Sequence, residues 1–342
     1  MYNKINNGNK TNLGIQLLRL LLSFWIIFIH CYYAKGNRKL YFLFEKTFHV
    51  PTFIFISFYF YYLKLQSRDL NKIYQRFQRL FIPYLIWPLI IYFVNNLCLT
   101  FFHFCQFGRY LQIKDYIIQI IIGRKYYGIF WYMNVLLFLS FFFTIIFFTI
   151  PNHFIFIIQL IGLLFYGLHF SSLYSILNKK NLVESSIILV VEMIPISVMG
   201  FTFGESNILQ NSKNNRFRYI IIHAISLYYL FKLDIFNLHD GFFYPAIEMN
   251  TLAAINSFFI FSLLPFEKIQ NQKIISILKC MFNYTGGIYY IHVFFRFYFS
   301  KIIINIKNKT FLGCLVIYFI CYITCFFCGK IFKKSHLKFL FL

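Results

Sequence analysis

An arginine and a histidine, Arg19 and His30, stand eleven residues apart inside the apolar stretch LGIQLLRLLLSFWIIFIHCYY. In a helix, at about 100° per residue, eleven steps return the second side chain to within about 20° of the first after a rise of about 16 Å. The two then share one face. A cation at one end of such a face could meet an anionic ligand, and an imidazole deeper in could take up a proton. Held at the centre of a bilayer, Arg19 would cost at least about 2.5 kcal/mol, so it is expected at an interface or facing polar surroundings. The plainer alternative is that Arg19 snorkels to lipid headgroups and His30 is bonded to a neighbouring helix. Cys31 lies about 100° round the helix from His30, a poor geometry for a Cys/His nucleophile.

A second run, YLKLQSRDLNKIYQRFQRLFIPYLIW, places Arg68, Lys72, Arg76 and Arg79 at steps of 4, 4 and 3. That spacing predicts a single helical stripe of cations, ended by Pro83 as the next apolar span begins. Guanidinium forks pair with phosphate oxygens in two-point contacts, so the stripe suits a polyphosphate. It equally suits a juxtamembrane helix that holds lipid headgroups. Both readings put it in the cytoplasm.

The elements that must carry these residues are membrane spans. The 342 residues are 60% hydrophobic and only 13% charged, outside the usual balance of a soluble domain. Apolar stretches about 20 residues long, separated by short polar breaks, predict an all-α polytopic bundle of about ten transmembrane helices. Their centres fall near Phe24, Ile56, Ile90, Phe138, Leu160, Pro195, Ser226, Ser257, His292 and Phe319. The first stretch is expected to be a span and not a cleaved signal, because no small-residue cleavage pattern follows it. Lys and Arg in the gaps slightly favour a cytoplasmic N-terminus. Residues 1–12 are then a cytoplasmic tail, 13–333 one transmembrane domain and 334–342 a short C-terminal tail.

The formal charge of +23 lies mostly in the gaps between apolar runs, which points to anionic lipids and phosphate-bearing substrates and not to nucleic acid. The eight cysteines show no metal-ligand spacing with histidine, and no metal site is expected. The 50 Phe and 27 Tyr fit A+T-rich codons, so the aromatic content carries no function.

In order, the segments LLRLLLSFWIIFIH, FHVPTFIFISFYF, YQRFQRLFIPYLIW, GIFWYMNVLLFL and FNYTGGIYYIHVFF resemble acyltransferase family 3, multi-pass membrane O-acyltransferases of surface polysaccharides and related glycans. The likeness is spread over nearly the whole chain. It implies a catalytic role for His30 and Arg19 and a role for Arg76 and Arg79 in binding acyl-coenzyme A, with Lys72 of the same stripe expected to help gather the nucleotide's negative charge. His49 and Pro51 match a His-x-Pro segment entering the second span. Trp131 matches a tryptophan near the start of the fourth, and Gly287, Tyr289 and His292 match the ninth. The family's Ser-Gly-Phe in the second span is replaced here by ISFYF, with Phe58 where glycine would stand, which could narrow a substrate pocket or mark an inactive relative.

The implied reaction moves an acyl group, expected to be acetyl, from acyl-coenzyme A to a hydroxyl of a cell-surface or lumenal glycan or lipid-linked saccharide. It needs a base, a thioester held in line and a donor for the developing oxyanion. His30 suits the base, or a nucleophile that briefly carries the acyl group. Acyl-coenzyme A enters as a substrate, and no permanently bound cofactor is expected. His49, Trp131, His292 and Glu248 are candidates for substrate binding, and Glu248, with Asn250 and Asn256, could equally be interhelical glue. The rival reading is a transporter or flippase of a lipid-linked glycan, which would also use several spans and a few buried charges.

Overall fold

The computed structural model describes residues 12–31, 50–103, 109–123, 130–170, 182–205, 247–262, 271–302 and 311–341. For residues 29, 31, 165–170, 182–189, 192, 247–253, 296–302 and 311 the helical backbone alone is described. Among the described residues the regular structure is helical, without strands. In chain order the helices are α1 Leu13–Cys31, α2 Val50–Gln66, α3 Leu70–Phe102, α4 Ile113–Ile122, α5 Phe130–Thr149, α6 Phe154–Phe170, α7 Leu182–Glu205, α8 Ile247–Ser262, α9 Gln272–Phe282, α10 Thr285–Ile302 and α11 Phe311–Ile331. Helices stand at every expected centre except Ser226, which lies outside the described residues. By length and composition three of them, Leu70–Phe102, Phe130–Thr149 and Leu312–Ile331, are long and apolar enough to cross a membrane. The short helices α4 and α9 were not expected.

Two sequence expectations are corrected by the start of α3. Asp69 caps the helix, its side chain accepting from the backbone N–H of Asn71 and Lys72 at 3.1 and 3.3 Å. Arg68 therefore stands outside the helix, in a turn with φ 50°, and cannot continue a stripe with Lys72, Arg76 and Arg79. Nor does Pro83 end the cationic segment, because one helix of 33 residues runs through both Pro83 and Pro88. Each proline removes one backbone hydrogen bond, and the bundle packed around them, where both prolines are buried, holds the helix together.

The largest helix pairing joins α2 to α7. A Cβ on Gly200 would come within 2.6 Å of the Phe55 carbonyl oxygen and 3.1 Å of the Phe58 Cβ, so only glycine lets the two backbones approach this closely. Phe58 is fully buried, its ring 5.4 Å from Phe201 of α7 and 5.7 Å from Phe143 of α5. The residue that replaces the family glycine is thus a core ring, and the close approach is made possible by a glycine on the facing helix.

At the α2–α3 end of the bundle, Asn12 caps α1 by accepting from Ile15 N at 3.2 Å and donates to the Ser262 carbonyl of α8 at 3.2 Å. After α11 the chain turns back through a short 3-10 turn, His336–Leu340, onto α3. There Trp87 Nε1 donates to the Leu340 carbonyl at 3.3 Å, and Phe341 stacks on Phe332 at 5.8 Å. The Phe341 carbonyl lies so near Gly287 of α10 that a Cβ would sit 2.5 Å away, which accounts for glycine there.

Gly200→Ala is expected to lower stability by about 1–3 kcal/mol by pushing α2 from α7, and Phe58→Ala by about 3–5 kcal/mol by emptying the ring's site. Thermal unfolding of the detergent-purified protein measures both.

Candidate active site

α1 carries Arg19 and His30 on the face turned toward α10 and α5. The half-buried His30 ring lies 5.2 Å from the fully buried His292 ring of α10, with the planes inclined by only 27°. His292 is itself held by its Nδ1, 2.6 Å from the Tyr289 carbonyl oxygen. A carbonyl only accepts, so Nδ1 carries the hydrogen, and in the neutral ring Nε2 is the basic nitrogen.

Arg19, one and a half turns into α1, donates from Nη1 to Gln16 Oε1 at 3.1 Å. It lies within electrostatic reach of Tyr132, Tyr290 and Arg79. Tyr132, on α5, is buried and has both Arg19 and Arg76 as charged neighbours. Its ring sits 5.1 Å from Tyr289, which in turn is 6.0 Å from His292. Tyr290 donates to the Met133 sulfur at 3.2 Å, tying α10 to α5. Three tyrosines thus line the space between the arginine and the imidazole pair.

Arg76 is 8% exposed, and its donors are spent inside the bundle. Nε and Nη2 reach Ser140 Oγ on α5 at 3.2 and 3.0 Å; Nη2 also reaches Ser57 Oγ on α2 at 3.1 Å, and Nη1 the Ser57 carbonyl at 3.4 Å. The guanidinium lies over the Tyr61 ring at 4.1 Å and near Phe58 at 5.5 Å. Tyr61 is hydrogen-bonded to Thr144, one turn beyond Ser140. Ser57 and Ser140 are each nine residues from the nearby helix end, so this charge sits about 13 Å inside the bundle.

Arg79 is exposed, one turn deeper along α3, with its guanidinium 5.8 Å from the Phe339 ring of the returning C-terminal segment. Lys72 is exposed and paired with Asp69 at 3.2 Å, and that hydrogen bond holds the Asp69 carboxyl below its ordinary range. Lys64, near the end of α2, is a cation the sequence reading left out of the site. It has Arg76, Arg79, Arg19 and Lys72 as charged neighbours, so five cations from α1, α2 and α3 gather at one end of the bundle.

Of the other sequence candidates, Trp131 is half-buried at the start of α5 and touches Tyr132, ring to ring, at 6.4 Å. Glu248 belongs to the first turn of α8, where the backbone alone is described, and His49 lies outside the described residues. Tyr132, Ser57 and Ser140 were missed. A lone serine within each of the runs FIFISFYF and LLFLSFFF was the available signal. Among the described residues, no group of three His, Cys, Asp or Glu side chains could hold a metal ion.

An all-helical bundle with long apolar helices, a buried arginine and an imidazole pair is the architecture of an integral membrane protein. The family is more definite: residues 12–330 match the acyltransferase domain of acyltransferase family 3, and the chain belongs to that family. It is therefore a membrane protein of acyltransferase type. No curated protein and no solved structure matches the chain.

The two arginines of α3 are expected to separate experimentally. Arg76→Ala would leave the buried Ser140 hydroxyl and the half-buried Ser57 hydroxyl and carbonyl without their donor and cost about 3 kcal/mol of stability or more. Arg79→Ala, at an exposed position, should move stability by no more than about 0.5 kcal/mol. Parallel thermal unfolding curves check this.

Proposed function

We propose that this protein moves an acyl group, acetyl in the simplest case, from acyl-coenzyme A to a hydroxyl of a cell-surface or lumenal glycan. About ten spans would hold it in the cell membrane with the N-terminus in the cytoplasm. The observation that carries the reading is the shared face of α1, with Arg19 in the cation cluster and His30 stacked on His292.

Coenzyme A carries phosphates at its nucleotide end and a thioester at the other. The exposed Arg79 and Lys72, with Lys64 behind them, suit the phosphates, and the pantetheine arm would then run inward along α1 toward His30. His30 removes the acceptor hydroxyl proton as the oxygen attacks the thioester carbonyl. The tetrahedral oxyanion collapses, the carbon–sulfur bond breaks, and the leaving thiolate takes the proton back from the imidazolium. The hydroxyl of Tyr132 is the candidate donor to the developing negative charge, while Arg19, about 16 Å back along α1 among the cations, would meet the phosphate end of the donor. His292 acts as a positioning residue, its ring fixed by the Tyr289 carbonyl and laid against His30. Arg76 serves the same site from behind, locking α3 to α2 and α5.

In reconstituted vesicles supplied with radiolabelled acetyl-coenzyme A, wild-type protein should transfer label to glycan acceptor. His30→Ala should lower that rate by about 10²–10⁴-fold with the fold retained. Tyr132→Phe, which keeps the ring but removes the hydroxyl, should lower it by about 10²-fold with the donor KM unchanged. Full activity of His30→Ala would remove His30 from the mechanism, and acceptor movement without acyl transfer would favour a flippase.

A further inference from the structure

The helix α9, Gln272–Phe282, is too short to span a bilayer. Its 11 residues rise about 16 Å against a hydrocarbon core about 30 Å thick. Asn271 caps it as an independent element, accepting from Lys273 N at 3.0 Å and Ile274 N at 3.4 Å. It follows the end of α8, which is tied to Asn12, and packs against α1. It therefore lies at the end of the bundle where the cations gather.

At about 100° per residue most of its side chains fall into three sectors, with the half-buried Cys280 at the edge of the polar one and the half-buried Met281 between the exposed isoleucines. Ile275, Leu278 and Phe282 share an arc of about 60°, and these are half-buried, half-buried and buried against the bundle. Ile274 and Ile277 occupy a second arc, about 100° away, and are 46% and 59% exposed. Gln272, Ser276 and Lys279 form the third, with Lys273 on the border between the polar sector and the exposed isoleucines. A helix lying in solvent has no use for the second sector, and a spanning helix none for the third. A helix in the plane of the membrane surface uses all three: protein to one side, hydrocarbon below and water above.

The charges indicate what kind of surface. Residues 271–302 contain no Asp or Glu, and at the same end the last turn of α11 adds Lys330 and the segment returning after it adds Lys333, Lys334 and Lys338. Lys273 is placed to lay its methylenes along the exposed isoleucines and raise its ammonium to the phosphate level.

We propose that α9 is an interfacial helix that seats Ile274 and Ile277 in the acyl-chain boundary and binds anionic phospholipid headgroups through Lys273 and Lys279. This assignment is independent of the acyl-transfer reading, since it needs only that the bundle reside in a bilayer.

The test uses the full-length protein with Ile277→Trp, reconstituted into phosphatidylcholine vesicles with and without phosphatidylglycerol. The added emission, taken as the difference from wild type, should be quenched by phospholipids brominated near the glycerol end of the acyl chains. It should also be shielded from aqueous iodide, more strongly when phosphatidylglycerol is present. Adding Lys273→Glu and Lys279→Glu should abolish that dependence on phosphatidylglycerol while the thermal unfolding midpoint stays unchanged. Three results would overturn the proposal: iodide quenching as strong as for free tryptophan; bromolipid quenching indifferent to phosphatidylglycerol and to the lysines; or shielding that disappears on dilution to one protein per vesicle, which would assign the face to a second copy of the chain.

Discussion

A guanidinium cannot be carried into an apolar bundle unless nearly all its N–H groups find acceptors, because an isolated buried charge costs far more than any packing returns. Arg76 meets that condition with a serine on each of two neighbouring helices and a tyrosine ring beneath it. The result is a three-way joint. Its geometry fixes how α3 lies against α2 and α5, and hence where Arg79, Lys64 and Tyr132 stand. The replacement of a glycine by Phe58 is tolerated at this joint because α7 presents Gly200 opposite it, and the phenyl ring fills volume beside the guanidinium.

Around this joint the site is assembled from α1, α3, α5 and α10, which meet only in three dimensions. Cations collect toward one end and imidazoles stand farther along α1, with tyrosine hydroxyls between. Under the proposed reading, such a gradient would leave the charged end of an acyl donor near water and carry its reactive end into the interior.

Periodicity made part of this legible. Arg19 and His30 share a face because helical geometry allows no other arrangement of that spacing, and the centres of the long apolar runs that lie among the described residues fell on helices. The partner of His30 was visible as a residue, His292, but not as a neighbour, since sequence does not say which helices touch. The cationic stripe was over-extended to Arg68 because charge spacing was followed past Asp69, whose side chain caps the helix that begins after it. Pro83 was read as a stop by local propensity alone, whereas tertiary packing carries the helix across it. The short helices α4 and α9 escaped because a window about 20 residues wide averages an 11-residue amphipathic segment with its flanks.

The 33 residues of α3 make a rod about 50 Å long, with two missing backbone hydrogen bonds where Pro83 and Pro88 stand. The missing bonds lie between the guanidinium of Arg79 and the amides of Asn95 and Asn96, which donate to the carbonyls of Arg109 and Leu111 at 3.0 Å each. One continuous helix thereby links the cationic end of the bundle to the Asn95–Asn96 anchor, and a change of angle at the prolines would tilt one arm against the other.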